Sequence, residues 1–103
     1  MSSPKSFRQL IGVSPSTASP SDPTCALIII DAQNEYATGL LKTANVSSTR
    51  KAIAGLLERY RGGKAKIIHV LHKTSEAAPV FTTGKEVSLE FEELKVKPGE
   101  KVS

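Results

Sequence analysis

Few side chains in this sequence are suited to proton transfer or nucleophilic attack, and Asp31 is the most telling of them. It closes the run Ala26-Leu27-Ile28-Ile29-Ile30 and opens the polar string Ala32-Gln33-Asn34-Glu35-Tyr36. A carboxylate at the rim of an apolar strand can take a proton from a nucleophile or a substrate. In an open parallel sheet the carboxyl ends of the strands are also where ligands bind. Asp31 is therefore the candidate catalytic residue, and Gln33 and Tyr36 are candidates for substrate contact. Glu35 stands between them, either lining a pocket or solvated.

Cys25, the one thiol, lies six positions before Asp31 in the same strand. At about 3.3 Å per residue the two stand about 20 Å apart, too far to share a proton. Cys25 reads as a small buried hydrophobe. His69 and His72 would suggest zinc on a helix, but on a strand i and i+3 point to opposite faces, so they do not chelate one ion. His69 is expected to be buried and hydrogen-bonded, and His72, at the carboxyl end of a second strand, to line the pocket beside Asp31. The acidic run Glu90, Glu92, Glu93 reads as a solvated face. Three other chemistries fail on residues: a dinucleotide fold wants G-x-G-x-x-G where Asp31-Ala32-Gln33-Asn34-Glu35 stands, a P-loop wants G-K-[ST], and a phosphoaspartyl hydrolase wants a second Asp where Gln33 sits.

The elements that must position these residues follow from pattern. Five consecutive aliphatics, three of them β-branched, bounded by Pro23 and a polar cluster, fit a strand buried on both faces. Residues 34–45 read as a loop broken by Gly39. A helix capped by Ser47 or Ser48 is expected to run to about Tyr60, with Ile53, Leu56, Leu57 and Tyr60 on one stripe and Gly62-Gly63 ending it. Lys66 to Leu71 reads as a second strand, so residues 25–71 form a β-loop-α-β unit with parallel strands and a right-handed crossover. Residues 73–85 read as a loop, Leu89 to Leu94 as a short helix or a ragged strand, and Lys101-Val102-Ser103 as the start of another strand.

Residues 1–23 carry seven serines and four prolines and read as a largely flexible arm, with one or two helical turns at Phe7, Leu10 and Ile11. Its Ser-rich, basic composition resembles a transit peptide, but the prolines spoil a long amphipathic helix. Residues 24–103 then make one domain, in a chain of 103 residues with 39% hydrophobic residues, no Trp and an aliphatic core. The net charge of +4 is scattered rather than gathered into a stripe, which argues against a nucleic-acid partner. The apolar run is too short to span a membrane. One Cys forms no internal disulfide, so the expected compartment is the cytoplasm, and the Asn45-Val46-Ser47 sequon has no secretory context. A strand apolar on both faces needs a helix layer on each side, and the sequence offers one long helix. The arm, a second copy of the chain or further sequence must cover the other face.

The string Ala26-Leu27-Ile28-Ile29-Ile30-Asp31-Ala32-Gln33-Asn34-Glu35-Tyr36, then a helix, then Lys66-Ile67-Ile68-His69-Val70, resembles the opening of the isochorismatase-like cysteine hydrolases. Lys97-Pro98-Gly99-Glu100-Lys101-Val102 resembles that family's lead-in to a third strand, so the resemblance covers residues 26–102. It implies an α/β, Rossmann-like three-layer fold with a parallel sheet, here an incomplete N-terminal part with two to three strands and one long helix. It also implies hydrolysis of amides, vinyl ethers or related small metabolites by an Asp, a Lys and a Cys. Asp31 matches the carboxylate that activates the thiol, and Gln33 a polar residue with a supporting role. A thiol of ordinary pKa about 8.5 is mostly protonated at neutral pH, so a base beside it and a nearby ammonium raise the thiolate fraction.

Two departures matter. The family's Lys follows its third strand and its Cys opens a later helix, and neither position falls within the sequence. Lys101 precedes Val102 on the incoming strand, where the family's Lys follows the apolar pair. The zinc-binding relatives carry an Asp-x-His cluster after the second strand, where Lys73-Thr74-Ser75-Glu76 offers none, so no metal and no cofactor is implied. The expected partners are a small-molecule substrate in the complete fold and, through the uncovered sheet face, a second copy of the chain.

Overall fold

The structure is a computed structural model that describes residues 4–12 and 17–103. Ser14, Pro15 and Ser16 of the expected arm, with residues 1–3 and Val13, lie outside the described residues. A first short helix, α1 (Phe7–Leu10), forms where the sequence placed helical turns. Ser6 caps it reciprocally: its hydroxyl accepts from the Gln9 amide at 3.3 Å, and its own amide donates to Gln9 Oε1 at 2.8 Å. The apolar residues of this turn, Phe7, Leu10 and Ile11, are exposed.

The sheet has three parallel strands in the order β1 (Ala26–Ile30), β2 (Lys66–Val70) and β3 (Lys101–Val102). Register pairs Ile28 with Ile68 and Ile30 with Val70, and continues from His69 to Val102. The expectation that β1 is buried on both faces is met on one only. Ile29 is 5% exposed, whereas Ile28 and Ile30 are 52% and 64% exposed. The reason is supply: the one long helix, α3 (Val46–Arg61), lies against the face bearing Leu27, Ile29 and Ile67, and nothing in the described residues lies on the other.

Helix α3 begins earlier than a serine cap would place it. Asn45 precedes it at φ 56° without a side-chain cap, and its carbonyl accepts from the Thr49 amide and hydroxyl. Asn tolerates this left-handed conformation, which turns the chain into the helix and carries Ser47 and Ser48 into the first turn. The buried stripe also differs. Leu57 and Tyr60 are buried and Ile53 packs against them, but Leu56 is 39% exposed. At 100° per residue Leu56 falls beside the stripe that runs through Val46, Ile53, Leu57 and Tyr60.

Residues 34–45 are more than a loop, since they contain the single-turn helix α2 (Glu35–Thr38). The segment from Glu86 to Leu94 combines the two alternatives left open by the sequence. It has 3₁₀ turns at Glu86–Ser88 and Glu92–Leu94, with an extended piece between them that bridges antiparallel from Glu90 to Gln33. Leu94 and Phe91 close the core over Leu57, and Arg50 of α3 grips this end by a bidentate pair with Glu93 and by lying 4.3 Å over the Phe91 ring.

Part of the N-terminal arm is docked. The Pro20 carbonyl accepts from the amides of Lys64 and Ala65 at 2.8 and 3.0 Å, just where α3 turns into β2. This approach is open because residue 63 is glycine, since a Cβ there would overlap the Pro20 carbonyl oxygen. Gly63→Ala is therefore expected to cost about 1–3 kcal/mol in chemical denaturation and to release the Lys64 and Ala65 amides to hydrogen exchange. An unchanged denaturation midpoint would mean that the docked arm contributes nothing to stability.

Candidate active site

Asp31 follows β1 directly and is half-buried, at φ 56°. Left-handed backbone outside glycine is uncommon and clusters at functional positions. It is held here by hydrogen bonds on both sides: the Asp31 amide donates to the Val70 carbonyl at 2.8 Å, and its carbonyl accepts from the Gln33 amide at 2.8 Å. The strand thus stops at Asp31, which lines a cavity of about 350 Å³. Tyr36, Thr43, Thr49, Ile53 and Phe91 help to line it. The ion pairs of the described residues lie elsewhere.

The structure brings Asp31 and Tyr36 to one cavity and leaves Gln33 and His72 outside it. Gln33 is completely buried, and its amide is fully used on backbone. Nε2 donates to the carbonyls of His72 and Ser88 at 3.0 and 2.7 Å, and Oε1 accepts from the His72 amide at 2.8 Å. It is a strut between the end of β1, the end of β2 and the Ser88 turn. His72 is exposed, its ring 4.8 Å from that of Phe81, which in turn meets Tyr36 edge-on at 5.4 Å. An aromatic row therefore joins His72 to the Asp31 cavity without placing His72 in its wall. Cys25 stands at the opposite end of β1, as its spacing required.

Two groups of the site region were not legible. Glu35 is 1% exposed, neither solvated nor in the wall of the Asp31 cavity, and its carboxylate accepts from the amides of Phe81 at 2.7 Å and Leu41 at 3.2 Å. It ties the 73–85 loop to α2, and Gly39 leaves it room, because a Cβ there would overlap the Glu35 carboxylate. Glu90 corrects the reading of a solvated acidic face. It is 8% exposed, while Glu92 and Glu93 are solvated as expected. Glu90 is drawn in by His69, which is buried as expected with Nδ1 2.5 Å from Glu90 Oε2 and Nε2 2.8 Å from Glu100 Oε1. The available signal was His69 itself, since a buried imidazole needs partners. Among the described residues no three His, Cys, Asp or Glu side chains gather to hold a metal ion, and no helix is long and apolar enough to cross a membrane.

Comparison with known proteins bears on this geometry. Residues 25–103 match the family model described as the isochorismatase domain. The chain is 50% identical over 97 residues to the secreted isochorismatase effector Isc1 of Verticillium dahliae, covering 94% of this chain and 50% of that protein. It is 61% identical over 59 residues to the isochorismatase-like protein asqB of Emericella nidulans, covering 57% of this chain and 41% of that one. The crystal structure of an isochorismatase from Pseudomonas putida KT2440 superposes with a TM-score of 0.85 at 31% identity, over 97% of this chain and 50% of that one. The chain thus spans about half the length of the curated relatives it matches. The N-carbamoylsarcosine amidase of Thermoplasma acidophilum shares the fold, with a TM-score of 0.65 at 21% identity.

Proposed function

Because this chain belongs to the isochorismatase family, we propose that it contributes the proton-accepting carboxylate, Asp31, to the hydrolysis of a small metabolite at a vinyl ether or amide bond. The observation that carries this reading is the position of Asp31 at a left-handed turn on the rim of a parallel sheet, lining a cavity and in no ion pair among the described residues. Such a carboxylate accepts the proton of a cysteine thiol, and the thiolate attacks the substrate. Tyr36 borders the substrate space. Gln33 and His72 act behind it, holding the turn that carries Asp31.

The 103 residues supply the base without the matching Lys and Cys, and loss of such groups costs several orders of magnitude in rate. The chain alone is therefore expected to be inactive. Turnover of isochorismate and a panel of small amides tests this, first on the purified chain and then with the second half of a homologous isochorismatase supplied as a separate polypeptide. Asp31-dependent turnover by the chain alone would overturn its inactivity. Failure of every combination would remove the hydrolase reading. For compartment, the single cysteine supports the cytoplasm, while the word secreted in the name of the Verticillium relative supports export.

A second reading is a non-catalytic module that associates through the uncovered sheet face, and the exposure of Ile28 and Ile30 beside half-buried Ile68 and Val70 favours it. Sedimentation at micromolar concentration decides: self-association supports it, and a monomer removes it.

A further inference from the structure

The proposed chemistry makes no use of His69, yet this is one of the most deeply buried side chains in the molecule. Its ring is bracketed by carboxylates on two different segments, Glu90 on Nδ1 and Glu100 on Nε2. Glu100 is itself gripped by Arg61 from the end of α3, with Nε to Oε2 at 2.7 Å and Nη2 to Oε1 at 3.0 Å. The Lys97 amide adds a bond to Glu100 Oε1 at 3.1 Å.

Proton counting constrains this group. A ring nitrogen without hydrogen and an ionised carboxylate both present lone pairs, so each contact needs a proton between its two atoms. The guanidinium of Arg61 holds the Glu100 carboxyl down at about 2, so the Nε2 contact is a ring N–H donated to a carboxylate. A neutral imidazole has then spent its only hydrogen. The 2.5 Å contact between Nδ1 and Glu90 requires a second proton, on the ring or on the carboxyl. Burial pushes the Glu90 carboxyl upward, which helps to retain that proton.

We propose that His69 is a positioning residue whose shared proton with Glu90 latches the Leu89–Phe91 segment to β2 and thereby fixes the turn that carries Asp31. The connection is direct in the backbone. Asn34 N–H donates to the Leu89 carbonyl at 2.8 Å, and Phe91 N–H donates to the Ala32 carbonyl at 2.9 Å, so the latched segment pairs with the residues that follow Asp31. That Asp31 acts as a base rests on the function proposed above, whereas the latch does not.

The sign of its pH dependence follows. A group raised on folding contributes stability that is present at low pH and lost as pH rises through its folded value, which is the case of Glu90. Glu100 is lowered from 4.5 to about 2, so its contribution is present above 4.5 and lost as pH falls toward about 2. Between these limits the latch is closed, and rising pH opens it on the Glu90 side. The charged groups around the ring are Arg61 from α3, with Glu58 3.6 Å behind it, Glu100 before β3, and Glu90 on the bridging segment. His72 stands exposed at the rim beyond the end of β2.

The test is nuclear magnetic resonance of the 103-residue chain, following the His69 ring nitrogens and the amides of residues 31–34 and 89–91 from about pH 5 to about pH 9. The expected result is one transition shared by the ring and both amide groups, with rim amides exchanging about tenfold faster than intrinsic pH dependence predicts once the proton is lost. Glu90→Gln, whose carboxamide needs no shared proton, should abolish the transition at residues 31–34, and any contribution of His72 is common to both proteins and cancels. An unchanged transition in Glu90→Gln would overturn the proposal, as would a wild-type rim that is indifferent to pH. If Glu90→Gln does not fold, the wild-type midpoints decide: coincidence of ring and rim supports the latch, and separation refutes it. Turnover is not read in this experiment, so failure of the latch and failure of the hydrolase reading are separate results.

Discussion

Replacing Leu57 by alanine is expected to remove between about 2 and 5 kcal/mol of the stability of this chain. Leu57 has no exposed surface and lies between the covered face of the sheet and the Phe91–Leu94 segment, in contact with the core that Ile29, Tyr60 and Ile67 complete. Leucine-to-alanine changes at such sites cost about 2–5 kcal/mol through lost burial and a residual cavity. The reserve is small. The accessible surface is 7482 Å², against about 5,600 Å² for a folded monomer of this mass. A domain at the low end of ordinary stability, about 5 kcal/mol, keeps at most about 3 kcal/mol after that loss. Urea titration followed by circular dichroism should move the midpoint of Leu57→Ala to less than about two thirds of the wild-type urea concentration. Leu56→Ala, one position away and 39% exposed, should keep its transition within about 1 kcal/mol of wild type. Equal effects at the two positions would mean that α3 does not dock on the sheet by the stripe described.

Asp31→Asn is expected to lower kcat/KM by about 10²–10⁴ in any assembly of this chain that hydrolyses substrate. Asparagine is the informative change because it keeps shape and tolerates the left-handed backbone at φ 56°, whereas a β-branched residue would strain the turn. What is lost is the capacity to take the thiol proton, so the deficit should fall on kcat with KM little changed. Steady-state kinetics of the complemented enzyme measures it, and matching amide spectra for the two proteins would confirm that the turn is intact. Undiminished kcat would remove Asp31 from the chemistry.

Much of the scaffold was legible because it rests on local signals. The apolar runs of β1 and β2, the helix between them and the carboxylate at the strand end follow from periodicity and from residue types at fixed spacing. The features that escaped depend on partners distant in the chain. Helix α2 is four residues long, too short to leave a periodic trace, and Glu35 within it is buried by the Phe81 amide far along the sequence. Glu90 lies in a segment with three glutamates among six residues, which reads as solvated until His69 of β2 is placed beside it. The bare face of the sheet was anticipated from a count of helices, and the earlier start of α3 was missed because serine capping is the commoner local solution.

The buried amide of Gln33 has a consequence for fidelity of strand alignment. Its slot presents two carbonyls and one N–H, so it accepts a side chain with a donor and an acceptor on one planar head. Glutamate, identical in shape, would set an anion against two carbonyl oxygens. A slip of β1 by one residue would bring Ala32 or Asn34 to the slot, one lacking polar atoms and the other a methylene too short, while turning Asp31 to the opposite face of the sheet. The amide thus works as a keyed stop that admits one alignment of β1, the alignment in which the carboxylate faces its cavity.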